Sequence, residues 1–202
     1  MKIKVCGLTS TKEASYLNQN QVDFAGFILF FPKSKRNITI AQAKEIMDAL
    51  SPEIKRVAVV VSPTPEQALE ITHAGFDYIQ IHGTLSEEVL AVLTIPVLKA
   101  FNIKDMEQYP KFQACPQIAG YVFDAQEPGS GKTFDWKLVT TIPRDEKLLL
   151  LAGGLHPDNV ADAIAAIHPD GVDVSSGVEY DKETIGKSPE KIHAFVKNVR
   201  NC

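Results

Sequence analysis

Cysteine is scarce in this 202-residue chain: Cys6, Cys115 and Cys202 are all there is. An odd number at scattered positions is no disulfide framework, and no C-x-x-C pair marks a zinc site. No His/Cys/Asp/Glu cluster stands at ligand spacing, so no metal is expected. Basic residues are not in excess either: 21 Lys and Arg face 25 Asp and Glu, a net charge of -4. That argues against a nucleic-acid partner, since such domains carry a basic stripe. Long apolar runs are also missing. The longest, Phe24 to Phe31, is broken by Gly26 and falls far short of the roughly 20 residues that span a bilayer. The segment Met1-Lys2-Ile3-Lys4-Val5-Cys6 has neither the h-region nor the cleavage site of a signal peptide. No membrane partner is expected, and the reading is of a cytoplasmic protein in a reducing compartment. No Gly/Ser- or Pro-rich linker and no low-complexity stretch divides the chain, so residues 1–202 are read as a single domain.

What the chain does have is alternation. Hydrophobic residues make up 45% and charged residues 23%, an ordinary globular balance. Eight short apolar runs read as strands: Ile3–Cys6, Phe24–Phe30, Arg56–Val61, Tyr78–His82, Val97–Ala100, Gly120–Asp124, Leu148–Ala152 and Gly171–Ser175. Val, Ile, Leu and Phe dominate them, as in parallel strands buried on both faces. Helix signals fill the gaps. Ser10-x-x-Glu13, Thr39-x-x-Gln42, Thr64-x-x-Gln67 and Thr84-x-x-Glu87 fit the capping box. Pro65 and Pro189 fit a first helical position, and Gly75 a C-terminal stop. Ile192, Phe195, Val196 and Val199 form one apolar stripe, as do Val160, Ile164 and Ile167. The fifth and sixth helices are weakly marked, because Pro110, Pro116 and Pro143 crowd that region. Repeated β-then-α units mean a parallel sheet, either doubly wound or closed. Eight units in 202 residues favour an α/β single-domain (β/α)8 TIM barrel.

Polar residues collect at the C-terminal ends of the runs. Lys4 and Cys6 share a face, as do Gln80 with His82 and Asp173 with Ser175, while Asp124 ends its own strand. Such ends form the mouth of a barrel, where active sites lie. Glycine-bearing loops follow the last three strands: Pro128-Gly129-Ser130-Gly131-Lys132-Thr133, Ala152-Gly153-Gly154-Leu155 and Ser175-Ser176-Gly177-Val178. Backbone N–H groups in loops of this kind can hold a phosphate, and a barrel's phosphate site lies after its last two strands. Ordinary tight turns are the plainer alternative. Gly131-Lys132-Thr133 is not a P-loop, because position 126, where that motif needs glycine, is Gln126.

Several of these fragments together resemble the phosphoribosylanthranilate isomerase family, barrels that carry out the Amadori rearrangement of tryptophan biosynthesis. Lys4-Val5-Cys6-Gly7-Leu8-Thr9 is similar to the family's opening motif, and Pro32-Lys33-Ser34-Lys35-Arg36 to its substrate loop. Gln80-Ile81-His82-Gly83, Gly129 to Trp136, Ala152-Gly153-Gly154-Leu155 and Asp173 to Glu179 follow in family order. Departures are Lys35 where proline is common, Asn37 where histidine often follows, and Ser188 where an acidic residue is expected after the lysine near Gly186. Serine still caps a helix, and Lys35 bears on how the Arg36 loop moves.

The resemblance implies catalysis by Cys6 as base at C2′ and Asp124 as acid at the ring oxygen. Cys6 would be helped by the nearby cation Lys4, and Asp124 needs a raised pKa from its apolar strand end. It implies substrate binding by Arg36, whose fork suits the anthranilate carboxylate, and by Gln80, His82 and Asp173. It implies phosphate binding near Gly131, Gly153, Gly154, Ser176 and Gly177. No cofactor is expected. The partner would be a phosphorylated small molecule, and a monomer is expected, with a dimer as the alternative. A related barrel enzyme, such as an aldolase using Lys99 as a Schiff-base lysine, and a phosphate sensor without turnover are the competing readings.

Overall fold

A computed structural model describes residues 1–102, 107–124, 144–181 and 186–202. Its strands are β1 (Lys2–Cys6), β2 (Phe24–Leu29), β3 (Asn37–Ile38), β4 (Lys55–Val61), β5 (Tyr78–His82), β6 (Val97–Asn102), β7 (Ile118–Asp124), β8 (Leu148–Leu151) and β9 (Gly171–Val174). Between them lie α1 (Thr11–Asn20), α2 (Ile40–Asp48), α3 (Pro65–His73), α4 (Glu87–Val92), α5 (Tyr109–Gln113) and α6 (Val160–Ile167), and α7 (Pro189–Arg200) ends the chain. The sheet runs β1-β9-β8-β7-β6-β5-β4-β2-β3, all parallel, and a further pairing of β1 with β2 closes it. Eight strands thus make the expected (β/α)8 barrel.

β3 is the strand that sequence patterning misses, being two residues long. It pairs with Ile28 and Leu29, beyond the Phe24–Gly26 stretch that pairs with β1. It therefore extends the β1 side of β2 and sets the preceding residue, Arg36, above the end of β1. The loop from Phe31 to Asn37 is cinched at its base, where the Phe31 N–H donates to Asn37 Oδ1 at 2.7 Å.

Alternation along each strand divides the core in two. Cys6, Phe24, Val57, Val59, Leu98, Ala100, Val122, Leu150 and Ala152 pack inside the barrel. Ile3, Val5, Ala25, Phe27, Ile79, Ile81, Phe101 and Tyr121 face outward to the helices. The α7 stripe of Ile192, Phe195, Val196 and Val199 is buried as its spacing predicts, and so is Val160, Ile164 and Ile167 of α6. Capping boxes at Ser10, Thr39 and Thr64 are present. The Thr84 box is not. Ser86 caps α4 instead, accepting from the Val89 N–H at 3.3 Å. Thr84 is held in the preceding loop, where its N–H donates to Ser62 Oγ at 2.9 Å beside Gly83 at φ +67°. The sixth weakly marked helix falls in 125–143, outside the described residues.

Candidate active site

The C-terminal mouth of the barrel opens on a cavity of about 830 Å³. Its walls include Cys6 from β1, Gln80 and His82 from β5, Asp124 from β7 and Asp173 from β9. Arg36, Gly153, Gly154 and Ser176 come from the loops above. Strands β1, β5, β7 and β9 thus send their expected polar residues to one place. β1 and β7 have β9 and β8 between them, so Cys6 and Asp124 approach the cavity from different sides.

The floor is ionic. The buried Lys4 ammonium reaches Asp173 Oδ2 at 2.6 Å, with Cys6 on the same face of β1. Burial works to lower the Lys4 pKa, but the Asp173 carboxylate and the Cys6 sulfur outweigh it and raise the value. Burial dominates at Cys6 and pushes its thiol up, although the charges of Lys4 and Lys187 pull the other way. Lys4 thus acts in the expected direction but does not outweigh burial. Gly26 faces Cys6 across the β1–β2 seam: a Cβ there would lie 2.8 Å from the sulfur.

Gln80 and His82 are coupled, with Nε2 to Nε2 at 2.8 Å. Burial, then the charges of Lys4 and Lys99, depress His82 to about 3. Its ring borders the cavity and is only partly covered, and the imidazole is neutral near pH 7. With the Gln80 amide nitrogen facing it, the ring accepts at Nε2 and carries its proton on Nδ1. Gln80 Oε1 and Asp173 Oδ1 are buried acceptors with no hydrogen-bond partner. Both residues line the cavity, so the site presents acceptors to a ligand that brings N–H or O–H donors.

At the mouth, Arg36 Nε donates to Glu179 Oε1, and Lys187 Nζ reaches the same oxygen at 3.2 Å. Gly7, at φ +84°, lies under the arginine, where a Cβ would come within 2.5 Å of Arg36 Cδ. Glycine is needed there for both its conformation and its lack of bulk. Sequence does not single out Glu179 and Lys187: charge alone does not distinguish them from surface residues, and only the fold buries them.

Consecutive glycines after β8, Gly153 at φ +91° and Gly154 at φ +67°, turn the loop over the cavity. Gly177 is placed differently. It does not line the cavity, and a Cβ on it would overlap the Leu155 carbonyl oxygen, so it packs the loop after β9 against the loop after β8. Gly131 lies outside the described residues. Lys99 is not a strand-end lysine in the barrel mouth. It points outward, donating to Ala100 O at 2.6 Å and lying 4.8 Å from the Phe101 ring centroid, which removes the residue on which the aldolase reading rested. Among the described residues no metal-binding cluster is present, and no helix is long and apolar enough to cross a membrane.

Residues 3–198 match the family model of N-(5'-phosphoribosyl)anthranilate (PRA) isomerase. A relative of that name from Geotalea daltonii is 36% identical over 206 residues, spanning 100% of this chain and 97% of its own. The solved phosphoribosyl anthranilate isomerase of Thermotoga maritima superposes with a TM-score of 0.86 at 34% identity, covering 100% of both chains. Another such isomerase, solved in complex with reduced 1-(o-carboxyphenylamino)-1-deoxyribulose 5-phosphate, gives 0.83 at 32% identity, again over 100% of both chains. The mouth geometry, the closed eight-stranded barrel and full-length similarity agree: this chain belongs to the N-(5'-phosphoribosyl)anthranilate isomerase family and is an enzyme of the isomerase class.

Proposed function

We propose that the cavity binds N-(5'-phosphoribosyl)anthranilate and converts it to 1-(o-carboxyphenylamino)-1-deoxyribulose 5-phosphate, with Asp124 as general acid and Cys6 as general base. The Asp124 carboxyl gives its proton to the furanose ring oxygen as the anthranilate nitrogen lone pair forms C1′=N⁺ and the ring C–O bond breaks. Cys6, as thiolate, takes the C2′ proton. The electrons move through C1′ to nitrogen, giving an enolamine that tautomerises to the ketone. No atom is gained or lost, and no external oxidant or reductant is required.

The observation that carries this reading is the convergence of Cys6 and Asp124 on one cavity with Arg36 at its rim. The remaining groups fit the same substrate. Gln80 Oε1 and Asp173 Oδ1 accept from sugar hydroxyls or from the amine. The Arg36 fork matches the aryl carboxylate. Gly153, Gly154 and Ser176 line the rim where backbone N–H groups can meet the phosphate.

Phosphoribosylanthranilate generated in situ loses its fluorescence as it is consumed, which gives a direct assay. Cys6→Ser and Asp124→Asn should each lower kcat by about 10²–10⁴-fold, the usual worth of a general acid or base, while melting as the wild type does. Wild-type rates in both folded variants would overturn the mechanism.

A further inference from the structure

Three cations converge on Glu179. Arg36 Nε and Lys187 Nζ both donate to Oε1, and Lys35 Nζ lies 2.9 Å from Oε2. Burial alone would raise the carboxyl. The hydrogen bond from Arg36 and the charges around it, Lys187 first, hold it at about 2 instead. The carboxylate is fixed from below. Lys187 is 1% exposed, and Glu179 and Lys187 form an antiparallel bridge in which the Ser188 N–H donates to Val178 O at 2.8 Å. The Lys187 N–H in turn donates to Glu13 Oε1 at 2.6 Å. Lys35, on the far side, is largely exposed.

We infer that Glu179 is a positioning residue. It aims the Arg36 guanidinium into the cavity at the carboxylate of the ligand, with Lys187 as its buried brace and Lys35 screening its outer oxygen. This rests on the isomerase reading for the identity of that carboxylate. Tethering Nε leaves the terminal nitrogens, Nη1 and Nη2, as the edge that a ligand can engage. Holding the side chain before binding removes part of the ordering cost of a flexible arginine. A carboxylate beside a carboxylate subsite would ordinarily repel the ligand. Arg36, Lys187 and Lys35 against Glu179 leave the cluster net positive. Lys35 pairs with the second carboxylate oxygen, Oε2.

The test uses Glu179→Gln, Lys35→Gln and the double variant Glu179→Gln/Lys187→Met. For each, kcat, KM, the melting temperature and the Kd values of inorganic phosphate and of reduced 1-(o-carboxyphenylamino)-1-deoxyribulose 5-phosphate are measured. Glu179→Gln should raise KM and the analogue Kd about tenfold, as expected on weakening a charge-assisted contact. Its kcat and phosphate Kd should stay near wild type. The double variant, freed of an unpaired buried lysine, should recover the melting temperature but not KM. Lys35→Gln should raise KM about two- to threefold, consistent with an exposed charge, and weaken the salt dependence of KM. Equal weakening of phosphate and analogue, or a KM that recovers together with the melting temperature, would reduce Glu179 to a structural residue and overturn the inference. So would an unchanged KM in folded Glu179→Gln. A wild-type protein that binds the analogue without turning over substrate would count against the isomerase reading alone, because the analogue Kd still tests Glu179.

Discussion

At the scale of single residues, the proposed mechanism needs a thiolate at Cys6, and burial works against it. Burial raises Cys6, and the two nearby lysines only partly offset it. A raised thiol pKa means less thiolate at neutral pH, and a thiolate fraction that grows as pH rises past the ordinary value of about 8.5. Alkylation of Cys6 by iodoacetamide, followed by mass spectrometry, should therefore show a midpoint above the free-cysteine value of about 8.5. Lys4→Met should push the midpoint higher still. A Cys6 midpoint at or below about 8.5 would show that burial does not raise this thiol. Cys6 and Asp124 were legible in the sequence because each ends an apolar run on the inward face. Glu179 and Lys187 were not, because their burial arises from loops folding over one another after β9.

At the scale of elements, the strands were legible wherever Val, Ile, Leu and Phe run together, and their ends were less so. Phe30 reads as strand from its side chain, yet its backbone turns to φ +56° and ends β2 at Leu29. β3 escapes because two residues carry no period, although this pair is what lifts Arg36 over β1. Thr84 fits a capping box in spacing, but a hydrogen bond from its N–H to Ser62 Oγ commits it to a loop. The β1–β2 seam is closely packed beside Cys6. Gly26→Ala would put a Cβ 2.8 Å from Cys6 Sγ and 3.0 Å from Cys6 Cα. It should cost about 1–3 kcal/mol of stability as overpacking and lower turnover by displacing the sulfur. A Gly26→Ala protein with unchanged stability and rate would show that the seam can yield at no cost.

At the scale of the whole molecule, β1 is held in the ring by β9 on one side and β2 on the other, and Lys4–Asp173 crosses the first of these seams inside the barrel. Removing one member of a buried pair leaves the other without compensation, at roughly 3–5 kcal/mol. Lys4→Met should lower the urea midpoint accordingly, and adding Asp173→Asn should restore part of the loss. A change below about 1 kcal/mol, within the range of surface ion pairs, would show that the barrel does not depend on this pair. The fold class was legible from the count of β-then-α units. The ionic floor was not, since a lysine and an aspartate far apart in sequence show no sign of pairing until the barrel closes.

On the proposed mechanism, one cavity opens the sugar ring and Cys6 takes the C2′ proton. Its most direct test is single-turnover kinetics with phosphoribosylanthranilate carrying deuterium at C2′. The wild type should turn over the labelled substrate more slowly than the unlabelled one, and a folded Cys6→Ser protein should turn over almost none. Turnover by Cys6→Ser at the wild-type rate, with the same isotope dependence, would assign the proton transfer to another group.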